Sequence, residues 1–501
     1  MRRALLLLAL VSLIGFVLFA GPTPFLFRLT WMEMFNGPQE TPPPTFKKCE
    51  RCNVVLVLLD TLRADRVLGG RGVELAPNLT EIRRSGLTLT HAFTNAFYTT
   101  PSLMTIFTSL YPGAHRVLSA HSHIPRLRKL KWEAPPLSKK ISTMAEIFRA
   151  NHYQTIWSAP LGFSQMPSEL GFQRGFDLLT DPFLLRSILV NPDHPRLAAD
   201  ALERIRPKTK QPFFWFIHSY MTHLPYLSEQ LPKDTGARVR RSELLASFEN
   251  SWEKARATRK GMPHPPADQK NRKACLDLAD FQPCLRLGSD TFAHLAGQFQ
   301  LNRISRLIDS GRALQPLQER AYDTAVREMD QAVGELWHRL HRSSISENTI
   351  FIFVADHGEE LFEHGEGSHS SFYEHTSHVP WIMVGPGIPK GIESHQLVSL
   401  VDLLPSVLDA TDLPANPAAQ GTSIFAANPR ETVFGSVLGM DYVRTHRWKW
   451  LLNSQGLEEL YYLPLDPKEK RNIISSPNII VQRQLRKLRR LTRKWKVGLA
   501  L

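Results

Sequence analysis

Three short stretches of this chain are apolar almost throughout. They are Asn53–Leu59 (N-V-V-L-V-L-L), Phe213–Ile217 (F-F-W-F-I) and Ile350–Val354 (I-F-I-F-V). Runs of this length, rich in β-branched and aromatic residues and lacking polar alternation, predict strands covered on both faces, as in a parallel sheet. A helical period lies between them: Tyr322, Val326, Met329, Val333 and Leu340 share one face. Strands alternating with helices predict a doubly wound, mostly parallel α/β sheet. The polar, basic stretch of residues 228–316 breaks the alternation and is read as an insertion over one sheet edge. Beyond it, Thr432–Phe434 and Trp448–Leu452 predict a small antiparallel sheet within 430–465. An amphipathic helix follows, with Val481, Leu485, Leu488 and Trp495 on one side. The expected layout is a catalytic unit over 51–425 and a C-terminal subdomain over 426–501.

The N-terminus changes the picture of where this fold resides. Met1-Arg2-Arg3 precedes an apolar run, Ala4–Ala20, interrupted only by Ser12 and Gly15. Residues 1–25 thus read as a signal anchor or signal peptide. A small-residue cleavage site is poorly formed around Leu18-Phe19-Ala20, which favours the anchor. The two arginines then stay cytoplasmic, and the rest is extracytoplasmic and membrane-anchored. Residues 26–50, with Pro38 and Pro42-Pro43-Pro44, read as a stiff tether. The four cysteines form two close pairs, Cys49/Cys52 and Cys275/Cys284. Export favours two local disulfides over a C-x-x-C zinc half-site. Asn78-Leu79-Thr80 has the pattern of a glycosylation sequon.

The formal net charge is +14. A solvated basic surface accounts for it, as does attraction to anionic lipid, polyanion or an anionic substrate. Eight Lys/Arg and no acid lie between Gln482 and Lys496. That helix either caps the small sheet with a solvated basic face or leans on lipid headgroups, and the two are compatible. No nucleic-acid partner is expected.

Ligands of open α/β sheets bind beyond the carboxyl ends of the strands. The first apolar run is followed by Asp60, the second by His218 and His223, the third by Asp356-His357-Gly358-Glu359. Asp60, Asp356 and His357 make a plausible oxygen-and-nitrogen metal set. A hydroxyl beside such an ion becomes a nucleophile. Thr99 and Thr100, in F-Y-T-T-P-S-L-M-T, are the candidates, ahead of a helix expected over Ser102–Ser109 with Pro101 at its start. The chemistry implied is attack on a tetrahedral oxyanion ester through a covalent Thr intermediate.

The order of motifs resembles the sulfatase-like branch of the alkaline phosphatase superfamily. It runs N-V-V-L-V-L-L-D-T-L-R-A-D, A-P-N-L-T-E-I-R-R-S-G, T-T-P-S-L-M-T-I-F-T-S-L-Y-P-G-A-H, H-L-P-Y, F-V-A-D-H-G-E-E-L-F-E-H-G, V-P-W-I-M-V-G-P-G, V-D-L-L-P-S-V-L-D and R-W-K-W-L-L with E-E-L-Y-Y-L-P-L-D-P. The resemblance implies that Thr99, two residues before the motif proline, is the nucleophile and a metal ligand beside Asp60, Asp356 and His357. It implies that His223 and His369 bind the ester oxyanion or protonate the leaving group. His364 and His115 lie in matching segments.

The departures bear on the substrate. Formylglycine cannot form from Thr, whose β-carbon carries a methyl group. Leu103 stands where the motif has arginine, and Thr61 where a second Asp is usual. Ser158–Phe163 (S-A-P-L-G-F) lacks the Lys and His of its counterpart, and the usual Asp-Asn metal pair is Asp356-His357. These features point away from formylglycine sulfatases and toward Thr-nucleophile enzymes that resemble phosphoethanolamine and phosphoglycerol transferases and phosphodiesterases. The resemblance implies a metal-dependent hydrolase or transferase of phosphate-type or sulfate esters. One divalent ion is expected, zinc or manganese favoured by the imidazole ligand, with calcium still open. The substrate is an anionic ester, on lipid or glycan. The alternative is a catalytically inactive, membrane-tethered protein that binds a glycan or lipid headgroup in the old cleft.

Overall fold

The computed structural model describes residues 25–35, 42–118, 135–159, 166, 168–179, 211–223, 314–365 and 369–499. Its centre is an eight-stranded sheet in the order β4-β3-β5-β1-β6-β7-β2-β8. The strands are β1 (Asn53–Leu59), β2 (Leu87–Phe93), β3 (Gln154–Ser158), β4 (Leu178–Leu179), β5 (Phe213–Ser219), β6 (Thr349–Val354), β7 (His378–Val384) and β8 (Ile392–Ser399). All pairings are parallel except those of β7 with β6 and β2. The three strands expected from the apolar runs form the middle of the sheet, β5-β1-β6, and every residue in them is buried. This is why their sequences show no polar alternation.

The helices around the two sheets include α1 (Phe25–Phe35), α2 (Pro77–Arg84), α3 (Thr99–Thr108), α4 (Leu314–His341) and α5 (Ile479–Leu499). The periodic face read from the sequence lies on α4, where Tyr322, Val326, Met329, Val333 and Leu340 are all buried. A second sheet, β12-β11-β10-β9, is antiparallel throughout. It is made of β9 (Val433–Val437), β10 (Met440–Arg444), β11 (Trp448–Leu452) and β12 (Glu458–Tyr462). On it lies α5, which buries Val481, Leu485 and Leu488 against Trp448, Trp450, Leu460 and Tyr462. Each such aliphatic side chain contributes about 1.5–3 kcal/mol. The helix starts at an Asn478 cap whose Oδ1 accepts the Ile480 amide at 2.9 Å.

Residues 25–35 fall at the edge of the stretches read as anchor and tether, yet they are helical. Leu29 is fully buried in the cluster under α5, and Phe25, Leu26 and Met32 pack on it. Proline stiffening applies only further along, where Pro42–Pro44 stand in non-helical chain. Cys49 and Cys52 form a disulfide, which leaves no thiolate there for zinc. Asn78 is committed within the fold: its Nδ2 donates to Asp330 on α4 at 2.8 Å, and Thr80 of the sequon is buried. The Cys275/Cys284 pair, residues 228–313 of the insertion, residues 160–163 of the S-A-P-L-G-F segment and the N-terminal apolar run all lie outside the described residues, whereas 314–316, read as the end of the insertion, are the start of α4. No helix among the described residues is long and apolar enough to cross a membrane.

Candidate metal centre and nucleophile

Strand register assembles the site. β1 pairs in parallel with β5 (Leu59 beside Ser219) and with β6 (Leu58 beside Val354), so the three carboxyl ends are level. Asp60 follows β1 directly, Asp356 lies two residues past β6, and His218 sits on β5 beside Leu58. Because β7 returns antiparallel to β6, the excursion between them begins and ends at this same edge. It carries His357, Glu359 and His369 over it. The helix α3 starts at the edge too. It begins three residues earlier than expected, so Thr99 is its first residue and Pro101 its third, where a missing N–H still breaks no helical bond. Ser102 Oγ donates to the Asp356 carbonyl at 2.7 Å and ties this helix end to β6.

Asp60, Asp356 and His357 are fully buried, and one ligand-type atom from each lies within 4.8 Å of the others. Each is held by its other atom. Asp356 Oδ1 accepts the backbone amides of His357 (2.9 Å) and Thr61 (3.2 Å). Asp60 Oδ2 accepts His218 Nε2 at 2.8 Å. His357 Nδ1 donates to the Gly358 carbonyl at 2.9 Å, which leaves the Nε2 lone pair for the site. The opposite atoms, Asp60 Oδ1 and Asp356 Oδ2, accept no hydrogen bond although buried.

Thr99 is the threonine whose hydroxyl enters this group. Its Oγ1 is 3.4 Å from Asp60 Oδ2 and 3.4 Å from His357 Nε2. His357 Nε2 is also 3.4 Å from Asp356 Oδ2. These spacings are long for hydrogen bonds. Those from His357 Nε2 to Thr99 and to Asp356 match two ligands each ~2.1 Å from one ion at a tetrahedral angle, which stand ~3.4 Å apart, and Asp60 Oδ1 stands wider, 3.9 Å from His357 Nε2.

The electrostatics are compatible with a cation. Burial pushes Asp60 up to about 8 and drives Asp356 well above the carboxylate range, the charge of Asp60 adding to the effect on Asp356. Burial holds His357 well below its usual value and brings His218 down to about 4, so both are neutral near pH 7. Without an ion, burial thus favours the protonated form of both carboxyls, and a divalent ion in place of those protons would stabilise the carboxylates. The orphaned oxygens, the free imidazole lone pair and the ligand spacings all fit such an ion.

The two histidines expected to touch substrate stand beside this centre. His369 lies with its ring centroid 4.6 Å from that of His357 and 5.0 Å from that of His223. His369 Nδ1 donates to the fully buried Glu359 at 3.1 Å. Burial opposes a charge on His369, but Glu359, helped by Asp60 and Asp356, outweighs it and the net shift is upward. His223 stacks on Tyr220 at 4.1 Å between centroids.

His115 and His364 join no atom of the centre. His115 is buried behind α3, with Nδ1 accepting the Val117 amide and Nε2 against Thr105 Oγ1 at 3.2 Å. His364 stacks on Tyr373 and meets the Lys468 carbonyl. Leu103 is buried in the main core. An arginine at that position of α3 would be a buried charge.

Four contributors lie outside the set of site residues expected from sequence. His218, placed at this sheet edge by its position after the second apolar run but given no role there, anchors Asp60. Glu359 orients His369. Thr61 serves the site through its backbone: its amide binds Asp356, its hydroxyl caps the Asp60 carbonyl at 2.7 Å, and its φ of 57° is left-handed, unusual for a β-branched residue. Tyr322 secures that turn, donating to the Thr61 carbonyl at 2.7 Å and accepting the Arg63 amide at 2.9 Å.

A family model described as Sulfatase matches residues 52–413. Arylsulfatase K of Homo sapiens is 32% identical over 174 residues, 30% of this chain and 32% of that protein. A choline-sulfatase of Rhizobium meliloti is 28% identical over 171 residues, 32% of this chain and 33% of that protein. The chain thus spans about a third of the length of these curated relatives. Among solved structures, a protein bound to its substrate D-glucosamine-2-N,6-O-disulfate aligns with a TM-score of 0.61 at 17% identity, covering 90% of this chain and 98% of that one. The phosphonate monoester hydrolase of Agrobacterium radiobacter aligns with a TM-score of 0.58 at 17% identity, over 90% and 95%.

Proposed function

The chain belongs to the sulfatase family, and on that footing we propose that it is a metal-dependent hydrolase or transferase of phosphate-type esters, sulfate esters being second choice, with Thr99 as nucleophile. The observation that carries this is the Thr99 hydroxyl, equidistant at 3.4 Å from Asp60 Oδ2 and His357 Nε2. Asp60, Asp356, His357 and Thr99 would hold one divalent cation, zinc or manganese before calcium. When bound, that cation lowers the pKa of the hydroxyl and screens the charge of the ester oxygens. Thr99 Oγ1 attacks the central phosphorus or sulfur, and its proton passes to Asp60 Oδ2, the carboxylate it faces. His369, aimed by Glu359, protonates the departing oxygen through its remaining nitrogen, and His223 binds a non-bridging oxygen. Water or an acceptor hydroxyl then releases the group from Thr99.

Phosphate is preferred because Thr99 cannot be oxidised to formylglycine, and because the Asp356-His357 pair brings nitrogen to the metal. The test is a screen of the metal-replete chain on aryl phosphate monoester, phosphodiester, phosphonate monoester and sulfate. Thr99→Ala should abolish turnover and keep nearly all the metal. Full activity in that variant refutes the covalent scheme. Less than roughly half an equivalent of divalent ion in the gently purified chain would favour the alternative, a catalytically inactive glycan- or headgroup-binding cleft.

A further inference from the structure

The outer face of α5 carries a surface that the ester chemistry does not use. Ile479, Arg483, Arg486, Arg490, Arg493 and Val497 recur at spacings of four, three, four, three and four, so they form one stripe opposite the buried Val481, Leu485 and Leu488. All six are exposed, Ile479 and Val497 at 74% each. Lys487 and Lys494 flank the stripe and are exposed too. Two other cations of the helix are engaged inward: Arg489 pairs with Glu458 and Lys496 with Asp441. The stripe itself faces no acidic residue of its own helix.

The helix α1 is fastened beside the start of α5. Asn478 Nδ2 donates to Thr30 Oγ1 at 3.0 Å, Glu33 pairs with Arg447 at 3.2 Å, and Arg471 lies over the Phe25 ring. Outward, α1 exposes Phe27 (44%), Met34 (67%) and Phe35 (61%). The apolar run Ala4–Ala20 ends five residues before it in the chain.

We propose that the α5 stripe and the exposed side chains of α1 together form a docking face for an anionic lipid bilayer. The cations match headgroup charge, as a soluble polyanion would also allow. The apolar residues at both ends of the stripe and on α1 are what single out a bilayer, because a sulfated or phosphorylated polymer offers nothing for them to enter. This inference is independent of the chemistry proposed for Thr99.

The experiment uses the full chain with vesicles of phosphatidylcholine alone and of phosphatidylcholine with phosphatidylglycerol. Its readout is the ratio of the two partition coefficients, which cancels insertion common to both through residues 4–20. Each juxtamembrane cation is worth about five-fold, so a triple R486Q/R490Q/R493Q variant should lower the ratio ~100-fold. Added salt should lower the wild-type ratio as well. I479S/V497S should weaken anionic-vesicle binding while leaving retention on a heparin column unchanged. All these side chains are exposed and outside the centre, so thermal melts and ester turnover should stay at wild-type values. A wild-type ratio near one, or an unchanged ratio in the triple variant, overturns the proposal. So does heparin retention that the arginines control without any preference for anionic vesicles, because the face would then serve a soluble polyanion.

Discussion

Lys449→Met should be among the most destabilising single substitutions in the molecule, and the reason lies in what it leaves behind. Lys449 is fully buried on β11. Its Nζ is 2.9 Å from Glu469, 3.1 Å from Glu374 and 3.1 Å from Ser377 Oγ. Glu374 keeps a second partner, since Arg444 holds it through Nε at 2.9 Å and Nη2 at 3.1 Å. Glu469, 1% exposed, would keep only the Glu374 amide, at 2.5 Å. The variant therefore strands one buried carboxylate, at a cost of about 3–5 kcal/mol. The shift of the urea midpoint, followed by tryptophan fluorescence, reads it, since Trp448 and Trp450 flank the site on β11. The sign with pH is fixed. Burial already holds Glu469 above its ordinary 4.5, although Lys449 opposes this. Removing Lys449 raises it further. A carboxyl raised in the folded state costs nothing below its unfolded pKa and destabilises as pH climbs through its folded pKa. The penalty should thus be larger at pH 8 than at pH 5. The double variant Lys449→Met/Glu469→Gln should recover most of it. A loss below ~1 kcal/mol at pH 8, the size of an exposed pair, or an equal loss at both pH values, would refute the stranded-charge account.

Further predictions concern the centre. Tyr322→Phe removes the hydroxyl that holds both sides of the Thr61 turn, so it should cost about 1–3 kcal/mol in stability and lower turnover with KM little changed; parallel melts and kinetics check it. His218→Ala frees Asp60 Oδ2 and should weaken metal binding ~10–100-fold, measured by chelator competition. Metal binding at pH 7 should release roughly one proton or more per ion, because Asp60 titrates at about 8 without the ion while His357 is already neutral. Apparent affinity should then rise as pH climbs toward about 8. Calorimetry in buffers of different ionisation enthalpy tests this, and identical heats in all of them would contradict it.

Local pattern was enough for the elements whose burial is symmetric. Asn53–Leu59 is a strand to the residue, because a segment covered on both faces advertises itself by composition alone. Trp448–Leu452 is equally legible, and the face of α4 follows from its period. β2, β3 and β7 carry weaker patterns, and their places in the sheet depend on neighbours that a linear reading does not contain. The start of α3 lies at Thr99 and not at Ser102: Pro101 resembles a first helical residue, whereas the loop from β2 delivers Thr99 already in helical conformation.

The same division holds at the centre. Asp60, Asp356, His357 and Thr99 could be named from sequence because each follows a strand or precedes a helix in a readable motif, and chemistry limits which residue types grip a cation. Distances between them could not, nor could partners brought in by register. His218 meets Asp60 only because β5 pairs with β1 in one alignment, and a slip of one residue would point it to the other face. Glu359 serves His369 only because β7 folds back along β6. Thr61 serves Asp356 through an amide, which every residue but proline possesses, so its side chain could not announce it. Residue identity sets what a group can do, and tertiary closure sets which group it does it to, since hydrogen bonds and ligand spheres depend on separations of a few ångströms that chain order leaves undetermined.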